Sequence, residues 1–375
     1  MIPQRANERP SPAKHLAGLE QAERLRRMPP PPPIEGGPSY VPTSQPFITT
    51  VESIQNAASG ASRWRKANRQ PPHYTRQTAK SSTTIEYGRT HQEQLFPDRA
   101  ILNLWRDVQE FSDRDADLLL SIFSAIIRET NGSGAAWIWA SHFLDQRGVK
   151  PIIKREGGRS RRAGHRVEDV VDIDQAIYRL SKLWITIEEI FPARRKGSKA
   201  RVYRHQGRVL MVVETWSQET LDTEDETTEC LPVAWKIRAG DWLMEYLQAP
   251  RYVAALCDQS LTYDPYHEMW EKRLSRYFLF FLRINAKHSS SQMLRSVEEL
   301  LHANSLPINQ NDPRKTRERF EKAMTRLLAD HQIDQWEYLP KSMRTLPAKK
   351  WLPSWLQWTV RIAAHVRQTT PQEEE

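Results

Sequence analysis

Apolar side chains recur with helical spacing between residues 312 and 329. At about 100° per residue, one helix face collects five apolar residues: Phe320, Ala323, Met324, Leu327 and Leu328. The opposite face collects four bases: Lys315, Arg319, Lys322 and Arg326. Asp312 is a favourable helix cap, Pro313 fits the first turn, and the alternation over residues 333–338 predicts a strand directly afterwards. The DNA-reading helix of a winged-helix domain requires this combination, although a solvated surface helix has the same pattern.

Elements predicted around this helix complete the order of a winged-helix domain. Helical periodicity predicts a strongly apolar helix over residues 270–286, and a further helix with Met293, Val297 and Leu300 facing inward. An aromatic strand is predicted over residues 356–362. The basic segment 341–350 lies between the two predicted strands, in the position of a wing tip. We therefore predict a winged-helix domain over residues 231–365.

The first half of the chain shows a similar order. Helical patterns cover residues 101–111, 112–127, 135–146 and 167–183. Strand patterns follow over residues 184–191, 200–204 and 208–216, with a turn at His205-Gln206-Gly207. This order predicts a first winged-helix domain over residues 97–216, with the basic hairpin 194–208 as its wing. The expected fold class is α+β, with two tandem winged-helix domains.

The segments outside these two domains have a different composition. Residues 1–96 hold 13 of the 25 prolines and few large apolar residues, which predicts a disordered, basic, Pro-rich N-terminal tail. Residues 217–229 carry six acids and no base, so we predict an acidic linker over 217–230. Residues 366–375 are predicted to form a second disordered tail.

The charge of the chain favours nucleic acid as a partner. The formal net charge is +9 and the pI is about 9.5. Residues 147–166 carry eight Lys and Arg against one acid, and residues 194–208 carry seven against none. In contrast, the predicted helix over 167–183 starts with an acidic outer face that includes Glu168 and Asp172. That face suits the helix dipole but not a phosphate backbone.

Three basic segments therefore supply the candidate DNA-binding residues. The 147–166 segment supplies Arg159, Arg161, Arg162 and Arg166. The predicted wing supplies Lys196, Lys199, Arg201, Arg204 and Arg208. The predicted reading helix supplies Arg314, Lys315, Arg319, Lys322 and Arg326, of which Lys315 and Arg326 are about 17 Å apart along the axis.

Patterns typical of catalytic or cofactor sites were not found in the sequence. No phosphate-binding loop of the Gly-x-x-x-x-Gly-Lys-Ser/Thr type is present, which excludes this type of ATPase site. His267-Glu268-Met269-Trp270-Glu271 lacks the second histidine of a zinc protease helix. Asp113, Asp115 and Asp117 fall in the first turns of a predicted helix, where surface acids are favoured by the dipole. We therefore predict no enzymatic activity, no metal and no cofactor.

Several stretches carry a resemblance to a known family. The stronger ones are LTYDPYHEMWEKRL at 261–274, RINA at 283–286, residues 314–328 and WEY at 336–338. Weaker ones are FLDQRG at 143–148, GHR at 164–166 and LWI at 183–185. In these stretches the chain resembles bacterial plasmid replication initiators built from tandem winged-helix domains. The resemblance implies that one domain binds repeated origin sites, that the other assists binding or dimerises, and that host replication factors are recruited.

The expected function is sequence-specific binding of double-stranded DNA, with initiation of plasmid replication as the leading hypothesis. A winged-helix transcriptional regulator and a non-enzymatic interaction protein that uses the Pro-rich tail remain alternatives. The predicted partner is double-stranded DNA, and host replication proteins and a homodimer are left open. The sequence contains no apolar run of about 18 residues, so no transmembrane helix is predicted. Two cysteines and a polar N-terminus predict a cytoplasmic protein.

Overall fold

The computed structural model describes residues 39–65, 70–78, 81–89, 98–156, 159–162, 164–191, 201–220, 229–247, 253–256, 259–285, 292–339 and 351–363. All of these residues belong to the compact unit Pro38–Glu375. The chain contains both helices and antiparallel strands, and the fold is of the α+β class.

The helices are α1 (Gln45–Ala58), α2 (Asp98–Gln109), α3 (Asp113–Thr130), α4 (Ala140–Gln146), α5 (Val167–Ser181), α6 (Asp241–Leu247), α7 (Gln259–Thr262), α8 (Met269–Asn285), α9 (Val297–Ala303), α10 (Pro313–Ala329) and α11 (Leu352–Leu356). The strands are β1 (Ser39–Pro42), β2 (His73–Gln77), β3 (Ser81–Tyr87), β4 (Ala135–Trp139), β5 (Ile153–Glu156), β6 (Arg159–Arg162), β7 (Leu183–Phe191), β8 (Arg201–Arg208), β9 (Leu210–Thr220), β10 (Glu229–Ala239), β11 (Val253–Leu256), β12 (Gln292–Ser296), β13 (Gln335–Tyr338) and β14 (Thr359–Ala363).

Within the described residues, the strands form small sheets and not one large sheet. One sheet has the order β2-β3-β7-β8, and two three-stranded sheets have the orders β4-β10-β9 and β12-β14-β13. Two further pairs are β1-β11 and β5-β6. Every pairing is antiparallel.

Two hydrophobic cores hold these sheets and helices together. The first core packs α1, α3 and α5 against β2-β3-β7-β8 and β4-β10-β9. The second core packs α8, α9 and α10 against β12-β14-β13. Helix α8 contributes to both, since Phe280 lies in the first core and Leu274 and Phe278 lie in the second. The two cores are therefore joined through a shared helix.

Part of the predicted N-terminal tail is folded. Residues 39–65, 70–78 and 81–89 contain β1, α1, β2 and β3, so the prediction of a tail over 1–96 is wrong for them. Phe47, Val51 and Ile54 of α1 are at most 1% exposed. Threonines and serines between them weaken the apolar signal, but Thr50 Oγ1 donates to the carbonyl of Pro46 at 3.0 Å and is satisfied in the interior. Residues 1–38 and 366–375 lie outside the described residues.

The predicted acidic linker does not separate two domains. β9 continues to Thr220 and pairs with β10, which starts at Glu229, so only residues 221–228 of the linker lie outside the described strands. β10 was assigned to the second domain, but its Trp235 and Ile237 are buried in the first core. The boundaries at 216 and 231 are therefore wrong, because the two strands need each other's backbone groups.

The predicted wing of the first domain is also placed differently. His205, Gln206 and Gly207 are not a turn but the end of β8, which pairs with β7. This hairpin extends the sheet that contains β2 and β3, whereas β4 pairs with β10. The predicted helix over 135–146 is a strand, β4, followed by the short helix α4, because Ala136 and Ile138 alternate toward the core.

The second core follows the predicted order more closely. Its elements run α8, β12, α9, α10, β13, α11 and β14, and β14 lies between β12 and β13 in the sheet. Met293 is on a strand and not in a helix, since α9 starts only after Ser296. Ser296 accepts from the amide of Glu299 at 3.2 Å, while the Glu299 carboxylate accepts from the Ser296 amide at 3.0 Å. This reciprocal capping box ends the strand and starts the helix.

A buried group of five charged side chains joins α3 to α8, and we call it the ion cluster: Asp113, Asp117, Lys272, Arg273 and Arg276. Each side chain is at most 4% exposed. Arg273 donates to Asp113 at 2.9 and 2.6 Å, and Arg276 donates to Asp113 at 2.9 Å and also to Asp117. Lys272 donates to Asp117 at 2.6 Å.

The ion cluster also binds backbone groups from other elements. Lys272 Nζ donates to the carbonyl of Leu261 at 3.1 Å, and Arg273 Nη1 donates to the carbonyl of Ser305 at 2.9 Å. Arg273 also donates to the hydroxyl of Ser59, just after α1. Buried ions need such partners because they have lost their water. The cluster therefore fixes α1, α3, α8 and the end of α9 relative to one another.

Asp113 is held in its ionised form by this arrangement. Burial by itself raises the pKa of Asp113, but the guanidinium groups of Arg276 and Arg273 outweigh it and hold the pKa below the ordinary value of 3.8. Burial lowers the pKa of Lys272, and Asp117 acts against that shift. The prediction that Asp113, Asp115 and Asp117 are surface acids is wrong, since all three are buried.

Asp117→Ala tests how much the ion cluster contributes. Removing one partner leaves Lys272 and Arg276 buried with incomplete compensation, so we expect a loss of about 3–5 kcal/mol in the free energy of unfolding, measured in urea. Asp172→Ala is the matched control, because its side chain is 56% exposed in an ion pair with Arg114 and we expect a loss of at most about 1 kcal/mol. Equal losses of unfolding free energy in the two variants would contradict a stabilising role of the ion cluster.

The lowered pKa of Asp113 predicts a dependence on pH. A carboxylate whose pKa is lower in the folded protein stabilises it above the ordinary value of 3.8, and this contribution is lost as the pH falls through the lower folded pKa. The difference in unfolding free energy between wild type and Asp113→Asn should be constant from about pH 7 to pH 5 and narrow below about pH 4. A difference that stays constant down to about pH 2 would contradict this.

Candidate nucleic-acid interface

Helix α10 is held on the second core by its apolar face and by both of its ends. Phe320, Ala323, Met324 and Leu327 are buried, as predicted from their spacing, while Leu328 is 36% exposed at the edge of the stripe. Asp312 caps the helix by accepting from the amide of Lys315 at 3.4 Å. At the other end, the Asp330 carboxylate accepts from the hydroxyl of Tyr263 at 2.9 Å.

A second set of contacts fixes the rotation of α10 about its axis. Arg317 Nε donates to Glu321 at 2.8 Å, and the Arg317 guanidinium lies over the Trp358 ring at 5.3 Å from its centroid. Glu321 also accepts from the hydroxyl of Tyr338 at 3.2 Å. Burial raises the pKa of Tyr338, so its hydroxyl stays protonated and remains a donor. Sequence reasoning did not identify Arg317 and Glu321 as positioning residues, although their i,i+4 spacing is a signal.

The outer face of α10 is exposed to solvent and mainly basic. The side chains of Arg314 and Lys315 are 84% and 76% exposed, and Lys322 is also exposed. Arg314 pairs with Glu318 at 2.7 Å and Lys315 pairs with Asp312 at 3.2 Å, both within the helix. Lys322 has no ion-pair partner within the described residues. Such exposed pairs are weak and can exchange for a phosphate.

Arg319 differs from the other predicted DNA-binding residues of α10. Its side chain is only 26% exposed, and it donates to the buried Glu271 of α8 at 2.6 and 2.5 Å. It also donates to the carbonyl of His267 at 3.1 Å. Arg319 therefore ties α10 to α8, and its prediction as a free DNA-contacting residue is wrong. The sequence carries no signal for this pairing, because Glu271 is 48 residues away.

Arg326 lies at the C-terminal end of the same helix. Its side chain is half exposed and pairs with Asp330 at 2.8 Å. A pair of this kind leaves one side of the guanidinium open to solvent. Of the five residues predicted on this helix to bind DNA, Arg314, Lys315, Lys322 and Arg326 are exposed.

The candidate residues of the first basic segment lie on or beside a β-hairpin. Arg159, Arg161 and Arg162 are in β6, which pairs with β5 from Ile153↔Arg162 to Glu156↔Arg159. The side chains of these three arginines lie outside what the structure describes. Arg166 is exposed and precedes the first turn of α5. The segment 147–166 therefore contains a two-stranded ribbon.

The candidate residues of the predicted wing lie on or near β8. Arg204 is 62% exposed and pairs with Glu188 on the neighbouring strand at 2.8 Å. Arg208 is exposed and lies over the ring of Trp184, 5.7 Å from the centroid. Arg201 is in β8, but its side chain is not described, and Lys196 and Lys199 lie outside the described residues. Within the part of the chain that is described, no contact joins this group to α10.

Helix α5 has the acidic outer face that its sequence predicts. Glu168 and Asp172 are exposed. Two bases at the C-terminal end of this helix are paired with acids of other elements. Arg179 donates to the buried Asp115 at 3.0 and 2.8 Å, and Lys182, just after α5, donates to Asp107 at 3.2 Å. The outer face of α5 is therefore more acidic than the sequence alone indicates.

The described ranges contain neither a metal-binding cluster nor a membrane-spanning helix. No group of three or more His, Cys, Asp or Glu side chains is arranged to hold a metal ion there. Among the same residues, no helix has both the length and the apolar character needed to cross a bilayer.

Comparison with known proteins concerns the fold alone. No protein-family model matches the chain, and no curated protein matches it. The crystal structure of domains 2 and 3 of RctB matches with a TM-score of 0.43 and 9% identity, over 80% of this chain and 93% of that chain. A selenomethionine structure of the same two RctB domains matches with a TM-score of 0.44 and 10% identity, over 83% and 98%.

Arg319→Ala tests the positioning role of this residue. It leaves the buried carboxylate of Glu271 without its partner, so we expect a loss of about 1–3 kcal/mol in the free energy of unfolding. Arg314→Ala on the exposed face should change it by no more than about 0.5 kcal/mol. Arg319→Lys should restore part of the loss because it can keep one of the two bonds. Identical unfolding curves for the two alanine variants would rule out the positioning role.

Proposed function

We propose that this protein binds double-stranded DNA through α10, which enters the major groove as the reading helix of a winged-helix domain. The single observation that carries the proposal is the exposed basic face of Arg314, Lys315 and Lys322 on a helix whose opposite face is buried in the second core. The major groove admits an α-helix, and base edges are read there by arginine and lysine.

The order of elements around α10 supports the winged-helix interpretation. Two helices and a strand precede α10, and two strands follow it with the short helix α11 between them; the last strand is central in the sheet. Residues 341–350 belong to the segment between the two following strands, and they carry four Lys and Arg and no acid. A wing at this place adds contacts to the phosphate backbone, which position the protein without reading sequence.

Within this proposal, the protein is a non-enzymatic, cytoplasmic initiator of plasmid replication that recognises repeated origin sites. The sequence resemblance described above supports this role, together with recruitment of host replication proteins and formation of a homodimer. The second candidate is a transcriptional regulator, which requires the same exposed basic helix. The initiator and regulator hypotheses are distinguished by testing whether the gene and its flanking DNA support replication of a circular DNA molecule that has no other origin.

The double variant Lys315→Ala, Lys322→Ala tests whether the exposed basic face of α10 contacts DNA. A duplex selected by the wild-type protein from a random pool serves as the probe, and affinity is measured at several salt concentrations. We expect weaker binding and a log–log salt slope reduced by up to about 1.8, because each lost phosphate contact removes about 0.9. Both residues are exposed, so the unfolding transition should be unchanged.

Arg106→Ala with Arg128→Ala is the matched control, since it removes the same charge from exposed positions on α2 and α3. The control should keep the affinity and nearly the full slope. If both double variants lose affinity equally, net charge and not α10 governs binding, and the assignment fails. If no duplex is selected at low salt, the interaction-protein alternative is favoured.

A further inference from the structure

Helix α5, which packs on the first core, has an outer face that is poorly suited to DNA. Glu168 and Asp172 are exposed on α5, and Arg179 and Lys182 are bound to Asp115 and Asp107. A phosphate backbone is repelled by such a face. Any DNA contact from this half of the molecule must therefore come from another element.

The neighbouring β5-β6 hairpin has the opposite charge. Five of its eight residues are Lys or Arg and one is Glu, so its formal charge is 5 − 1 = +4. Its strands connect the end of α4 to the start of α5. The amide of Ile152 donates to the carbonyl of Gly164 at 2.7 Å and closes the base of the hairpin.

The hairpin has little support from the rest of the protein. Within the described residues, β5 and β6 pair only with each other. An isolated two-stranded ribbon is only marginally stable in water. Large aliphatic side chains are also exposed at its base, with Ile152 at 41%, Ile153 at 64% and Val167 at 50%. A ribbon of this kind gains order and burial from a partner that lies against it.

We propose that the β5-β6 ribbon inserts into the major groove of duplex DNA and forms a second reading element beside α10. This inference rests on the proposed function and names the part of the first half that takes part in it. The major groove admits a two-stranded β-ribbon, and the charge of +4 matches the phosphates on both sides of the groove. Exposed aliphatic residues at the base offer apolar contacts to thymine methyl groups. Arg166, exposed beside the ribbon, adds a backbone contact.

The ribbon is tested with one loss variant and one gain variant on the selected duplex. Lys154→Ser with Arg161→Ser removes a cross-strand pair of the ribbon. We expect binding about tenfold weaker or more at about 0.1 M salt, and a smaller salt slope. Glu156→Lys raises the ribbon charge by two units, so we expect tighter binding and a steeper slope. A gain in affinity cannot come from a folding defect.

The position of the ribbon on DNA is tested by dimethyl sulfate interference, which reports guanine N7 in the major groove. We expect a set of interfering guanines that disappears in the ribbon loss variant and remains in the Lys315→Ala, Lys322→Ala variant. The control double variant Arg106→Ser, Arg128→Ser removes the same amount of charge from α2 and α3. It should keep the interfering guanines assigned to the ribbon and those assigned to α10.

Several outcomes would overturn the ribbon proposal while leaving α10 as the reader. In one, the ribbon variants bind as the wild type does. In another, affinity falls but every interfering guanine remains, which means that the ribbon contacts only phosphates. Equal responses on single-stranded DNA or acidic vesicles would show that the ribbon is a general cationic surface. In contrast, failure of the Lys315 and Lys322 variant to weaken binding would overturn the proposed function itself.

Discussion

The buried ion cluster between α3 and α8 is the constraint on which the rest of the molecule depends. Two carboxylates and three cations, none more than 4% exposed, are stable there only because each finds a partner on the other helix or on a backbone carbonyl. These ion pairs and hydrogen bonds fix the orientation of α8 against the first core. The other side of α8 supplies Leu274 and Phe278 to the second core. Because one helix packs on both cores, the ion cluster also fixes the second core relative to the first.

The candidate interface is built onto this frame by the same kind of contact. Glu271, the residue before Lys272 on α8, is buried and holds Arg319 of α10 through two hydrogen bonds. Arg317 and Glu321 fix the other flank of α10 against Trp358 and Tyr338. The two arginines that flank the apolar stripe thus orient the helix, and the bases farther from the core remain exposed to solvent. A basic residue on an amphipathic helix can serve either purpose, and its angle to the core decides which.

Sequence reasoning succeeded where contacts are local and failed where they are distant. The buried face of α10, its cap at Asp312 and the acidic face of α5 follow from spacing within one helix, and all three are present. Arg319 and the three aspartates of α3 were misinterpreted, because their partners are 48 or more residues away. Folding of residues 39–89 was missed for a related reason. Prolines and hydroxyl residues lower the apolar signal of that segment, although the buried hydroxyls of Thr50 and Ser53 donate to backbone carbonyls.

Composition and residues a few positions apart were enough to predict the α+β class, the basic balance, the helices α3, α5, α8 and α10, and the basic face of α10. Only the tertiary structure decided which strands share a sheet, because antiparallel partners such as β4 and β10 are distant in the chain and many pairings satisfy the same pattern. It also decided which charges are structural. An arginine beside a buried carboxylate stabilises the fold, whereas an arginine that faces water is accessible to a partner.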